Sequence, residues 1–149
     1  MSWGYLIFEV KIMKTFFQFT FESESGSANE ISTPLFIKKI GDSSLEYPAK
    51  AVWDTGATSS MISAAIARKL TLAPTGTVQI AGVHGVQNAR CYSIDIVFGN
   101  KFTIPAVKVS EASDFGGFDV LVGMDIISKG KMVIDGTDGK LKVCFQFPA

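Results

Sequence analysis

Apolar and polar residues alternate with a period of two through most of this chain, and that pattern commits it to β-structure. Phe17, Phe19 and Phe21 are separated by Gln18 and Thr20, the spacing of a strand with one buried face. The polar stretch ESESGSANE, residues 22–30, interrupts the alternation and carries a glycine, so it reads as a linker. The expected organisation is an N-terminal arm with its linker over 1–30 and one domain over 31–149. The 149 residues are enough for one domain with a real core.

Strand candidates continue along the body. PLFIKKI and YPAKAVW flank GDSSLE, and TVQIAGV and RCYSIDIVF flank HGVQNA, two hairpins in composition. FTIPAVKV, FDVLVG, KMVID and KLKVCFQF follow, the last two separated by the turn-rich GTDG. Two stretches read as helix. SMISAAIARKL sets Met61, Ile62, Ala65, Ile66 and Leu70 at helical spacing, with Ser59 or Ser60 as N-cap. DIISKG offers Asp125 as N-cap and Gly130 as stop. No internal repeat or low-complexity segment is present.

The stretch AVWDTGATSSM, residues 51–61, places Asp54 directly after Val52 and Trp53, at the end of a strand expected to be buried. An ionised carboxylate there loses hydration and needs partners. As a plain turn residue Asp54 would have an ordinary explanation, so its significance rests on its context. That context is a buried strand before it, a hydroxyl cluster after it, a glycine-tipped hairpin downstream, and the run VLVGMD.

In that order these features resemble the retropepsin-like aspartic proteases, whose retroviral members are the best known. The likeness runs from about Ile31 to Phe147 and leaves the arm uncovered; it is greater to bacterial members, where the DTG turn leads into a helix. It implies a mainly β fold, a closed β-barrel with one helix after the catalytic turn and a short helix after VGMD. It also implies an aspartic endopeptidase with no cofactor and no metal.

Chemistry gives such a site its logic. Two carboxylates about 3 Å apart cannot both ionise, so the pair shares one proton and supplies an acid and a base. This chain has one DTG and no DSG. A homodimer with its two-fold axis through the site would set Asp54 beside its own copy. By the same resemblance Thr55 reaches across the axis, Gly56 lets substrate approach the turn, and Ala57 completes it. The hairpin over residues 78–98 is the flap, with Val83, His84 and Gly85 at its tip, closing over an extended peptide. Leu121 and Val122 line an apolar pocket. Thr58 stands where retroviral enzymes carry an acid, so their subsite preferences do not transfer. Terminal strands build the interface of retroviral members, which makes KLKVCFQF, and the arm's KTFFQFTF, candidates for an intersubunit sheet.

Other residues have plainer readings. His84 is the sole histidine and has no acidic or nucleophilic partner in motif spacing, so it is a loop residue with no catalytic role. Asp119, Asp135 and Asp138 read as loop or turn acids. The Phe-rich arm reads as a strand covering the core or the subunit interface, or as a pro-segment removed by the enzyme itself.

Lys plus Arg and Asp plus Glu both count 14, and no basic run supplies the footprint of a nucleic-acid binder. The opening 25 residues are cut by Glu9, Lys11 and Lys14 into pieces far short of the roughly 20 apolar residues that span a bilayer. They also lack a signal-peptide pattern, so no membrane association and a cytoplasmic location are expected. Cys91 and Cys144 fit neither a zinc site nor a disulfide scaffold and read as reduced, structural thiols. A 47% hydrophobic content with 12 Phe adds to the expectation of self-association. Two alternatives to the active enzyme remain open: a non-catalytic dimeric peptide-binding module of the same fold, and a dormant protease whose arm blocks the cleft.

Overall fold

The computed structural model describes residues 5–12, 16–23, 30–83, 85–99, 102–113 and 115–148. Eleven strands and two short helices make a mainly β structure: β1 (Tyr5–Ile12), β2 (Phe16–Ser23), β3 (Ile31–Lys39), β4 (Asp42–Trp53), β5 (Met61–Ser63), α1 (Ala64–Lys69), β6 (Gly76–Gly82), β7 (Gly85–Phe98), β8 (Phe102–Ala112), β9 (Val120–Val122), α2 (Met124–Ile127), β10 (Lys131–Asp135) and β11 (Lys142–Pro148).

One sheet runs β3-β4-β9-β5-β8-β7-β6, and β3 also pairs with β7. Six strands are therefore hydrogen-bonded in a closed circuit, and β6 projects from it as the outer half of a hairpin. The second sheet is β1-β2-β11-β10. Its inner face meets the circuit through aromatic rings. Phe19 is 1% exposed and stacks on Phe98 at 5.1 Å and on Phe145 at 5.6 Å, with Trp53 tilted against it. Side chains of β2, β4, β7 and β11 thus share one core.

Several boundaries differ from the sequence expectations. The β3–β4 turn is Ile40 and Gly41, with Gly41 at φ +84°, and GDSSLE, expected as the turn, is mostly β4. The β6–β7 ladder closes to Gly82 opposite Gly85, so most of HGVQNA is strand and the loop is two residues long. Met61–Ser63, expected as helix, is a strand between β8 and β9; sheet pairing outweighs the helical spacing there. Consequently α1 starts at Ala64 with Ser63 as N-cap, its hydroxyl accepting from the Ile66 N–H.

Asp125 is not the N-cap of α2. Gly123 takes that position without a side-chain cap bond, and Asp125 lies in the first turn. The expectation that β11 pairs across a subunit boundary is also overturned: β2 and β10 occupy both its edges within one protomer. Cys91 and Cys144 are unbonded, and Cys91 is buried.

Candidate active site

Asp54 is positioned by the strand that precedes it. Trp53 is buried and its indole N–H donates to the buried Thr33 hydroxyl at 2.9 Å, which fixes the end of β4. β4 then runs parallel to β9, with Val52 beside Leu121 and Trp53 beside Val122. The Asp54 N–H donates to the Val122 carbonyl at 2.9 Å. This parallel pair begins at Asp119, whose carboxylate accepts the Lys50 N–H at 2.9 Å.

The loop after Asp54 folds back on its carboxylate. The Gly56 N–H donates to Asp54 Oδ1 at 2.8 Å, and the Ala57 N–H donates to the Asp54 carbonyl at 3.2 Å. Oδ2 carries no hydrogen bond from the described residues of the protomer. Thr55 is exposed and its hydroxyl likewise has no partner among them.

A second set of bonds holds this loop against the segment following β9. The Met124 N–H donates to the Ala57 carbonyl at 2.7 Å. Ser60, wholly buried, accepts the Gly123 N–H at 3.0 Å and donates its hydroxyl to Asp125 Oδ1 at 2.8 Å. The other Asp125 oxygen accepts the Ser60 N–H at 3.0 Å. Gly123 is required by contact: a Cβ there would lie 2.8 Å from the Ser59 carbonyl carbon and 2.9 Å from the Ala57 oxygen. Sequence reasoning missed the Ser60–Asp125 pairing. The signal was an acid two residues after a strand-ending glycine, together with a serine abutting an apolar run, but nothing in the spacing joins the two.

A cleft of about 740 Å³ lies between the loop and the β6–β7 hairpin. Gly56, Ala57, Thr58 and Ser59 line one side, and Val78, Gln79, Ile80 and Ala81 of β6 the other, with Lys108 and Ser110 of β8 between. Asp54 stands outside that lining, at the loop's start. Val122, expected in a pocket, is wholly buried core, and Leu121 is half-buried; neither lines this cleft. At the hairpin tip Val83 is 99% exposed and Gly85 adopts φ +101°, the left-handed region that favours glycine. His84 falls outside the described residues. No described residue of the arm lines the cleft. No cluster of three or more His, Cys, Asp or Glu able to hold a metal exists among the described residues, and no helix there is long and apolar enough to cross a membrane.

A mainly β protomer with a glycine-bonded aspartate at the end of one strand, clamped to a short helix after another, has the retropepsin-like fold. Its backbone is similar to that of a retropepsin-like aspartic protease from Rickettsia conorii, at a TM-score of 0.57 and 16% identity over 97% of this chain and 99% of that one. It is also similar to EIAV protease complexed with the inhibitor HBY-793, at a TM-score of 0.53 and 20% identity over 68% of this chain and 88% of that one. The family model described as "gag-polyprotein putative aspartyl protease" matches residues 46–129, more than half of the chain. The protein belongs to this family. No curated protein matches the sequence.

Proposed function

We propose that the protein is an aspartic endopeptidase, active as a homodimer in which Asp54 of each copy supplies one carboxylate. The observation that carries this reading is the state of Asp54 in one protomer. One oxygen is fixed by the Gly56 N–H, the other has no partner among the described residues, and the loop bearing it is immobilised on α2.

A two-fold axis beside Asp54 brings the free oxygens together, and at about 3 Å the pair holds one proton. The ionised member takes a proton from a water as that water attacks the scissile carbonyl. The protonated member donates to the carbonyl oxygen, and collapse of the tetrahedral intermediate protonates the leaving amine. Thr55, whose hydroxyl has no partner among the described residues, takes the role of bonding across the axis. Peptide lies extended in the cleft between Gly56–Ser59 and β6, beneath the flap tip at Val83, His84 and Gly85. Leu121, half-buried beside the turn, is the apolar wall the second copy would complete.

The test is peptide hydrolysis against pH by wild type and Asp54→Asn. Activity on the acid side that disappears in the variant supports the enzyme. Equal peptide binding with no cleavage by either chain would establish a binding module instead.

A further inference from the structure

Among the described residues that line the cleft beside the Asp54 loop, one is cationic, Lys108. Alternation along β8 puts it there. Val107 and Val109 are 8% and 1% exposed and belong to the core, so Lys108 and Ser110 share the opposite face of the strand and floor the cleft. Lys108 is exposed and has no hydrogen bond or ion pair among the described residues.

The carboxylates near it are committed elsewhere. Directly opposite Lys108 on β7 stands Ser93. Asp95, two residues further along β7, accepts the Ala106 N–H on Oδ1 at 2.9 Å, and Glu111 on β8 accepts the Tyr92 hydroxyl at 3.0 Å. Inside the cleft the run Gly56-Ala57-Thr58-Ser59 carries no acid. The one carboxylate of the lining, Asp125, takes the Ser60 N–H, the Ser60 hydroxyl and its neighbour's Ile126 N–H. The ammonium group of Lys108 therefore brings three donors to the cleft with no acceptor of the protomer claiming them.

The walls beside it, Met61, Val78 and Ile80, are apolar. Such walls strengthen a charge–charge interaction relative to open water, and they suit the methylenes of an acidic side chain whose carboxylate reaches the Lys108 ammonium and the Ser110 hydroxyl. A basic side chain is repelled at the same place, and a neutral amide forgoes the charge-assisted bond. Side chains on one face of an extended peptide recur every second residue, roughly 7 Å apart, so a single peptide position meets Lys108.

We propose that Lys108 is a specificity-determining residue of this cleft and selects a glutamate or aspartate side chain at one position of the extended peptide. This rests on the peptide-cleaving reading above and names a feature of its substrate.

The experiment is cleavage of a randomised synthetic peptide library by wild type, Lys108→Met and Lys108→Glu, with the products sequenced by mass spectrometry. Both substitutions fall at an exposed position and leave the core untouched. Wild type is expected to enrich Glu or Asp over Gln or Asn at one fixed distance from the cut bond, on the order of tenfold. Lys108→Met is expected to lose that enrichment, and Lys108→Glu to turn it towards Lys and Arg at the same position. Cleavage by wild type without acidic enrichment, or enrichment that persists in Lys108→Met, overturns the assignment and leaves the enzyme reading standing. If wild type cleaves nothing, the enzyme reading falls, and capture of the same library on immobilised Asp54→Asn protein, with and without Lys108→Met, decides the assignment. Acidic peptides retained only where Lys108 is present uphold it; equal retention by both overturns it.

Discussion

Ser60 donates to Asp125 at 2.8 Å and accepts the Gly123 N–H at 3.0 Å on the same oxygen, so one buried hydroxyl joins segments 63 and 65 residues apart. Ser60→Ala leaves a buried N–H and a carboxylate oxygen without partners. The expected loss is about 1–3 kcal/mol of stability, read by urea unfolding, together with a fall in peptide hydrolysis as the Asp54 loop loosens. A change under about 0.5 kcal/mol, the level of an ordinary surface substitution, would show that Met124 and Asp125 hold the loop without it.

If the carboxylate pair is shared between subunits, each working dimer needs two intact copies of Asp54. Wild type mixed and equilibrated with an equal amount of Asp54→Asn should retain about a quarter of the activity at constant total protein, since only dimers of two wild-type chains carry the pair. Retention of half would mean that each chain works alone.

Phe19 belongs to the arm, yet it lies between Phe98 and Phe145 with 1% of its surface exposed. Phe19→Ala is expected to cost about 3–5 kcal/mol in denaturant unfolding. Gln18→Ala, on the opposite face, loses its bond to Gln146 and should cost only about 0.5–1.5 kcal/mol. Similar values for both would detach the arm from the folded core.

Burial pushes the Cys144 thiol above its ordinary 9.0. Burial, then the bond and charge of Glu111, push the Tyr92 phenol above 10.0 against the opposing Arg90. In both cases the unfolded chain gives up its proton first, so the stability these groups contribute is complete below the unfolded values and drains as pH rises through the folded ones. The melting temperature should hold through neutral pH and decline above about pH 9. Cys144→Ala should move the onset of that decline upward in a series of thermal melts from pH 7 to 11.

The strands were legible because alternation is a local signal: Phe17, Phe19 and Phe21 follow from period two alone, and β10 and β11 from two apolar runs around the turn-rich GTDG. The DTG turn after a buried strand was equally visible, whereas the hairpin tip was read too long, over HGVQNA, because its polar composition hides the strand pairing that runs to Gly82 and Gly85. Met61 and Ile62 were misread because their spacing to Ala65 and Ile66 fits a helix, while the pairing with Ser110 and Leu121 that makes them a strand comes from residues about 50 or more positions away. Asp125 was misread for the same reason: a cap is a local inference, and its partner Ser60 is 65 residues distant. The hairpin over 78–98 was read as closing over the cleft, but the sequence pointed to its tip, whereas the residues that line the cleft are Val78–Ala81 further down β6.

The pairing of β2 with β11 has a consequence for how the protein is made. A ribosome emits Gln18 long before Gln146, whose side chain must reach it 128 residues later, and contacts of such span form slowly. Until then the aromatic centre lacks Phe145 and Phe147, and the nascent chain cannot complete the interior on which the Asp54 loop is built. The aromatic interior behind the Asp54 strand therefore closes last, once the final strand has been made and laid against an arm synthesised at the outset.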